Sequence, residues 1–308
     1  MDKSKSLLAC CSGVLAACIG QSAQAIEPGY PGWTMPPGVT IGSNAAAPPP
    51  GLYSFNQVYT IQATLTGPGG AANTKLHLGS AAFGLTWAPG WDLLGGTYTA
   101  TVVQPFTYAK LGAPLDDHRS GMHNTYVMPA AISWKVADSW YLKAGLGVGV
   151  PDGSIQGDTG LDSIGNPWWT FQPNLVLSYL NHGWNITANV SEEFNTPNWK
   201  TDYKMGNVLH LDLAATKTIG KWTVGPLATY VGQITGDDSS SYYHDRIITD
   251  HFNVISVGGL VGYDFGGPRL NVWAAKDINT NASGGLSPDR ATIPEGYKVY
   301  ASFSFKVF

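Results

Sequence analysis

From Gly51 onward the chain alternates apolar and polar positions with a period of two, in stretches of about 10–15 residues separated by turn-forming clusters. Twelve such stretches fall at about 51–65, 74–87, 96–109, 123–136, 139–150, 167–180, 183–194, 207–219, 221–234, 251–265, 268–277 and 296–308. Some are very regular. In WNITANVSE, Trp184, Ile186, Ala188 and Val190 alternate with Asn185, Thr187, Asn189 and Ser191; in WYLKAGLGVGV, Leu142, Ala144, Leu146, Val148 and Val150 alternate with Lys143 and three glycines. Tyr126, Met128, Ala130, Ile132 and Trp134 likewise alternate with Thr125, Val127, Pro129, Ala131, Ser133 and Lys135. Successive side chains of a strand point to opposite faces, so each strand has one greasy face and one that is small or polar. The last run, EGYKVYASFSFKVF, sets Tyr297, Val299, Ala301, Phe303, Phe305 and Val307 against Lys298, Tyr300, Ser302, Ser304 and Lys306. On this alternation Phe308 leaves the greasy face unless a bulge near Lys306 resets the register.

The connections decide what such strands build. VADSW, LNHGW, TIGKW and FGGPR are short and follow the fourth, sixth, eighth and tenth stretches; LGAPLDDHRSGMH, PDGSIQGDTGLDSIGN, NTPNWKTDYKMG, TGDDSSSYYHDRIITD and NTNASGGLSPDRATIPEG are long and follow the odd ones. A barrel crossing an asymmetric membrane has short periplasmic turns and longer outer loops. A soluble sandwich has no reason to keep that order. Trp134, Trp140, Trp168, Trp169, Trp184 and Trp222 cluster at the strand ends, where amphipathic rings meet a membrane interface. These features predict an all-β fold: a transmembrane antiparallel β-barrel of about twelve strands. Its last strand pairs with its first, because an open edge in lipid leaves N–H and C=O groups without partners at several kcal/mol each.

Composition extends the picture at the N-terminus. MDKSKSLLACCSGVLAACIGQSAQA starts with Lys3 and Lys5, continues through an apolar stretch and closes on Ala23-Gln24-Ala25. This is the pattern of a secretory signal peptide over residues 1–25. Leu15-Ala16-Ala17-Cys18 offers a rival lipoprotein site, ranked second. All three cysteines lie in this leader, so the exported chain is stabilised without disulfides. Residues 26–50, IEPGYPGWTMPPGVTIGSNAAAPPP, are rich in Pro, Gly and Ala without a period and form an irregular segment. Because it precedes the first strand, it is expected to start on the periplasmic side, beneath the lumen. Residues 51–308 make the barrel. The net charge of −4, which becomes −5 when Asp2, Lys3 and Lys5 leave, offers no basic surface for nucleic acid.

No G-x-S-x-G, H-E-x-x-H, P-loop or paired-cysteine motif occurs, so the hydrolase, zinc and nucleotide signatures are missing. The reading is of a protein that is not an enzyme and needs no cofactor. Asp116, Asp117 and His118, and Asp237, Asp238, His244 and Asp245, are carboxylate-rich enough to suit a hard cation. The ordinary reading, solvated outer loops facing lipopolysaccharide and its bridging cations, is preferred, and no metal site is assigned. The polar faces point into the lumen. Asn185, Thr187, Asn189, Glu193, His210 and Asp212, with Lys135, Lys143, Gln172 and Asn174, form the expected inner wall. They either line a passage, with Asp212 and Glu193 giving a mild cation preference, or satisfy one another and fill a small barrel.

The stretches PPPGLYSFNQVYTIQATLTG, YVMPAAISWKVADSWYLKAGLGVGVPDGSI, NPWWTFQPNLVLSYLNHGWNITANVSEEFNTPN, TDYKMGNVLHLDLAATKTIGKWTVGPLATYVGQITGD and ISVGGLVGYDFGGPRLNVWAAKDINTNAS, in that order, resemble the outer-membrane transporter family named for the MetA pathway of phenol degradation. The resemblance covers roughly residues 48–308. It implies a barrel of the outer membrane that passively moves small hydrophobic or aromatic compounds. Its partners would be outer-membrane lipid and lipopolysaccharide, the assembly machinery that reads a terminal aromatic such as Phe308, and a small apolar solute. The alternatives are a non-conducting barrel with a structural or surface-interaction role and, third, a barrel enzyme.

Overall fold

The computed structural model describes residue 27 and residues 29–66, 73–113, 116–156, 163–245, 251–283 and 293–308. The expected signal peptide and the rival site at Cys18 lie outside the described residues. The strands are β1 (Gly51–Thr66), β2 (Lys75–Ala88), β3 (Asp92–Leu93), β4 (Gly96–Leu111), β5 (Asp117–Met122), β6 (Thr125–Ala137), β7 (Trp140–Val150), β8 (Thr170–Asn181), β9 (Trp184–Asn195), β10 (Val208–Ile219), β11 (Trp222–Gln233), β12 (His251–Asp264), β13 (Arg269–Ser283) and β14 (Ile293–Lys306). All pairings are antiparallel, and every strand except β3 and β5 belongs to one closed ring of twelve. The ring closes by β1 on β14, in register from Tyr53↔Lys306 to Thr66↔Ile293 without a shift. The register is unshifted as far as Lys306. Just past it Val307 N donates to Leu52 O (2.7 Å) and Leu52 N to Phe308 O (3.1 Å), so Leu52 faces two residues in the manner of a bulge, and the side chains of both Val307 and Phe308 are exposed. The short β3 extends the β2–β4 hairpin at one end, and β5 extends β6 at the other, where it pairs with β4.

The short connections lie at one end and the long ones at the other. His182-Gly183, both at positive φ, joins β8 to β9 in a two-residue turn of the kind that matches strand twist. Outward-facing apolar side chains form the belt expected of a lipid contact: Leu146 is 45% exposed, Ile186 47% and Phe83 57%. Burial this low for such residues is unfavourable in water and natural in lipid.

In β6 the structure departs from plain alternation. The β6–β7 register shifts between Val127 and Ala130, around Pro129, which has no N–H for the ladder. The bulge flips the upper half of the strand, so Tyr126 and Met128 face inward rather than toward lipid. Tyr126 lies flat over Gly147, where a Cβ would sit 2.0 Å from the phenol oxygen, and Met128 lies over Gly145. The glycine at 147 is what lets the ring lie against the wall. Strand β13 is also longer than its alternation suggested. Its ladder to β14 runs only from Arg269↔Ser304 to Lys276↔Tyr297, while its ladder to β12 continues to Ser283. A bulge at Ile255/Ser256 opposite Asp277 marks where the two strands part.

Twelve strands about 4.8 Å apart, tilted about 40°, make a ring of backbone radius about 12 Å. Wall side chains alone leave the centre of such a ring empty. The segment before β1 occupies it.

Candidate functional site

The N-terminal segment has no strand of its own, so its backbone groups need partners from the wall. It runs the length of the lumen from the long-loop end down to β1, and therefore does not start beneath the lumen. The chain order of its contacts shows the route. Gly32 exchanges two bonds with the Asn166 side chain beside the outer loops (3.2 and 2.6 Å). Thr34 N and Met35 N donate to the buried Glu193 carboxylate on upper β9, the shortest contacts of each at 2.9 Å. Gly38 N (3.0 Å), Thr40 N (3.3 Å) and Thr40 Oγ1 (2.6 Å) donate to Asp212 at mid-height on β10. Ala45 N donates to Ser178 Oγ (2.9 Å), and Lys143 Nζ to Asn44 O (3.1 Å), near the short-turn end. From the opposite wall Trp273 Nε1 donates to Gly38 O (3.0 Å), Tyr300 OH to Pro37 O (2.7 Å) and Gln57 Nε2 to Val39 O (3.0 Å).

Nine of the ten residues expected on the inner wall are found there. Asn174 Nδ2 donates to Asn189 Oδ1 (2.6 Å), Gln172 Nε2 to Ser191 Oγ (3.3 Å), and Thr187 Oγ1 to Asn185 Oδ1 (2.6 Å). Asn185 reaches Ser43 O (3.3 Å), and His210 Nε2 lies 3.1 Å from Glu193 Oε1. The tenth, Lys135, has the right parity and the wrong level. It stands on the last turn of β6, below the lumen, with its side chain 57% exposed and Asp138 3.5 Å away. Glu193 and Asp212 are not free lumen charges: their oxygens are engaged by backbone N–H groups of the segment, and neither pairs with Lys135, Lys143 or Lys306 among the described contacts. Nor is Asp237 a solvated loop residue. It is buried and accepts from Gly206 N (2.7 Å), Gln233 Nε2 (2.6 Å) and the Tyr203 hydroxyl. Asp238 pairs with Lys204 (3.6 Å).

Three groups of side chains escaped sequence reasoning. The first is an outer latch: the fully buried Glu27 carboxylate accepts from Asn198 Nδ2 (3.0 Å), Thr201 Oγ1 (2.5 Å) and Tyr243 OH (3.0 Å). Burial pushes Glu27 up from 4.5 to about 7, against the lowering effect of those three donors. The second is an aromatic wall. Trp273 and Tyr300 stack at 5.1 Å and 3°, with Tyr59 5.2 Å from Tyr300. The third is an ion pair where β13 and β14 part: Lys298 Nζ contacts Asp277 Oδ1 and Ser256 Oγ (3.1 Å), and Asp277 Oδ2 accepts Gly296 N (2.9 Å). Side-chain bonds thus replace ladder bonds at this point. Only the third had a signal in the sequence, opposite charges on the polar faces of neighbouring strands.

The inner wall is not polar throughout. Ile61, Leu65, Leu76 and Leu111 face inward on β1, β2 and β4, and Val208, Val231, Phe252 and Val254 form a second apolar cluster on β10–β12. At the short-turn end a cavity of about 320 Å³ opens beside the segment, lined by Asn44, Asn185, Thr216, Thr218, Arg269 and Asn271 among others. Among the described residues no group of three His, Cys, Asp or Glu is arranged to hold a metal ion.

Comparison with known proteins gives a family and a fold. The sequence profile described as "Putative MetA-pathway of phenol degradation" matches residues 37–292. No curated protein matches the chain. Among solved structures, the COG4313 outer membrane channel from Pseudomonas putida F1 is similar with a TM-score of 0.68 at 11% identity, over 85% of this chain and 98% of that one. The translocator domain of the autotransporter NalP from Neisseria meningitidis is similar with a TM-score of 0.52 at 12% identity, over 85% of this chain and 90% of that one. Identities this low carry the fold alone, that of an outer-membrane β-barrel.

Proposed function

Since the chain belongs to the family of the MetA pathway of phenol degradation, we propose that it is a passive outer-membrane passage for small apolar or aromatic molecules. The observation that carries this reading is the inward-facing apolar wall. Ile61, Leu65, Leu76 and Leu111 pack together on the inner face and are nearly shut off from water, so this side of the barrel interior is apolar rather than the hydrated polar wall of a water-filled passage. Apolar surface exposed there by the passage of a solute is better covered by an apolar molecule than by water, at about 25 cal/mol per Å². The same surface next to a stacked Trp273–Tyr300 pair suits a flat apolar solute. The similarity to a protein described as an outer membrane channel supports a transport role. In this reading the N-terminal segment narrows the lumen, excludes polar solutes and leaves the solute an apolar route along the wall.

The occupied lumen also favours a second reading, a non-conducting barrel, since the segment satisfies much of the polar wall. The two separate in one experiment. Vesicles with a lipopolysaccharide outer leaflet, with and without the barrel, are tested for entry of an apolar aromatic dye and of a sugar of similar size. The proposed function requires faster dye entry with no gain for the sugar. Equal dye entry with and without the barrel, in both the intact chain and a chain lacking residues 27–48, sinks it.

A further inference from the structure

Three lysines of this charge-poor barrel share one patch of its outward face. The ladders place Lys276 opposite Tyr297, Tyr297 opposite Gln62, Gln62 opposite His77, His77 opposite Lys110 and Lys110 opposite His118. This single row crosses β13, β14, β1, β2, β4 and β5. Strand parity fixes the side it is on. The alternate residues Ile61, Leu76, Ala109 and Leu111 are buried inside, whereas Phe83, Phe106 and Val299, with the same parity as the row, are exposed to lipid. Lys75 lies two residues nearer the long-loop end than His77, on the same outward face and opposite Thr64.

The row stands at one edge of the lipid belt. Trp87 and His77 are both outward on β2, ten residues apart. That is about 33 Å along the strand at 3.3 Å per residue, and about 25 Å along the membrane normal at a tilt near 40°, which is the height of the apolar band. With Trp87 at the inner interface, the row lies at the level of the outer-leaflet headgroups. Among the described residues no carboxylate stands within 4.0 Å of Lys75, Lys110 or Lys276. Glu295, the acid nearest in register, accepts the Thr280 hydroxyl. Lys276 lies over the Tyr297 ring at 5.5 Å, and His77 Nε2 is 3.1 Å from Thr60 Oγ1. Between them runs a groove of about 580 Å³ bordered by Gln62, Lys75, His77, Lys110, Glu295 and Tyr297.

On the reading that this is an outer-membrane barrel, we propose that this row is a binding site for the phosphate groups of lipid A, the lipid anchor of lipopolysaccharide. On the six strands of the row the described residues set one outward acid, Glu295, against three ammonium groups, a balance that complements a bisphosphorylated headgroup. The lipid belt directly below receives its acyl chains. The occupant is a lipid rather than a soluble anion, because the patch is continuous with the lipid-facing surface and faces away from the lumen.

The test uses the full-length barrel in detergent, with bound lipid counted by native mass spectrometry. Each lysine near an anionic lipid surface contributes about a factor of five, so Lys75→Gln/Lys110→Gln/Lys276→Gln should weaken lipid A binding about 100-fold. Lys135→Gln/Lys221→Gln, at the other end of the barrel, should leave it unchanged. Lipid A stripped of its phosphates should bind wild type and triple variant alike, and weakly. Millimolar inorganic phosphate should not displace lipid A. The proposal is overturned if the triple variant binds within threefold of wild type, if the phosphate-free lipid binds wild type as tightly as lipid A, or if inorganic phosphate competes fully, which would mark a soluble-anion site. Dye entry into phospholipid vesicles without lipopolysaccharide should be the same for the triple variant, so failure here and failure of the transport reading are separate results.

Discussion

Replacing Asp212 and Glu193 together by Ala should open the lumen without unfolding the barrel. Asp212 accepts from two backbone N–H groups and one hydroxyl of the N-terminal segment, and Glu193 from two further N–H groups. A hydrogen bond to a charged group contributes about 1.5–3 kcal/mol, and a buried donor left without an acceptor costs about 1–3 kcal/mol. Taking the lower end, about 1 kcal/mol for each of the five donors, Asp212 holds the segment by about 3 kcal/mol and Glu193 by about 2 kcal/mol. The pair then contributes about 5 kcal/mol, a shift approaching 10⁴ in the docked-to-released ratio at about 1.4 kcal/mol per tenfold. The strand ladders on both sides of the two residues are continuous backbone pairings, so the wall itself should survive. The assay is planar-bilayer conductance in a salt gradient, comparing wild type, Asp212→Ala/Glu193→Ala, and a chain lacking residues 27–48. The double variant should conduct nearly as well as the deletion. If the two carboxylates merely lined an open passage, the same change would lower cation preference and leave conductance alone. A double variant with wild-type conductance, next to a deletion that conducts more, would refute the clamp.

Further outcomes follow from the same geometry. Leu146→Arg puts a charge on the lipid face and should cost about 2–4 kcal/mol of folding stability near the bilayer midplane, measured by urea unfolding in lipid vesicles. Lys298→Met leaves Asp277 buried without its cation and should destabilise by about 3–5 kcal/mol in the same assay. Lys298→Met/Asp277→Leu should recover part of that loss and leave the share due to the bond with Gly296 N. Glu27 titrates near 7 when docked against an ordinary 4.5, so the docked outer end holds the extra proton in that window. Docking is therefore strongest below about pH 4.5 and is lost progressively as pH rises through 7. Hydrogen exchange of residues 29–35 should quicken between pH 5 and 8, after correction for intrinsic rate, and Glu27→Gln should remove that dependence.

Strand number, strand ends and the lipid face of β7–β10 were legible because their evidence is local. A strand that divides lipid from lumen must alternate every second residue, and turns announce themselves by composition. Tyr126 was misplaced for a reason of the same kind: a bulge reverses the parity of the residues on one side of it relative to those on the other, and the extra residue at Met128–Pro129 shows only in the pairing with β7. Lys135 had the right face, but parity says nothing of height, and its level put it outside the lumen.

The sequence alone determined a twelve-stranded barrel with polar residues turned inward, because alternation and turn chemistry act over a few neighbouring residues. Only the tertiary structure decided what those residues do. A segment rich in Pro and Gly has no period to read, and its path is set by partners more than a hundred residues away, such as Thr34 with Glu193 and Gly38 with Asp212. The same holds for the cationic row, whose members come from six strands and meet only when the ring closes. Its meaning rests on register, which long-range pairing fixes and no single strand contains.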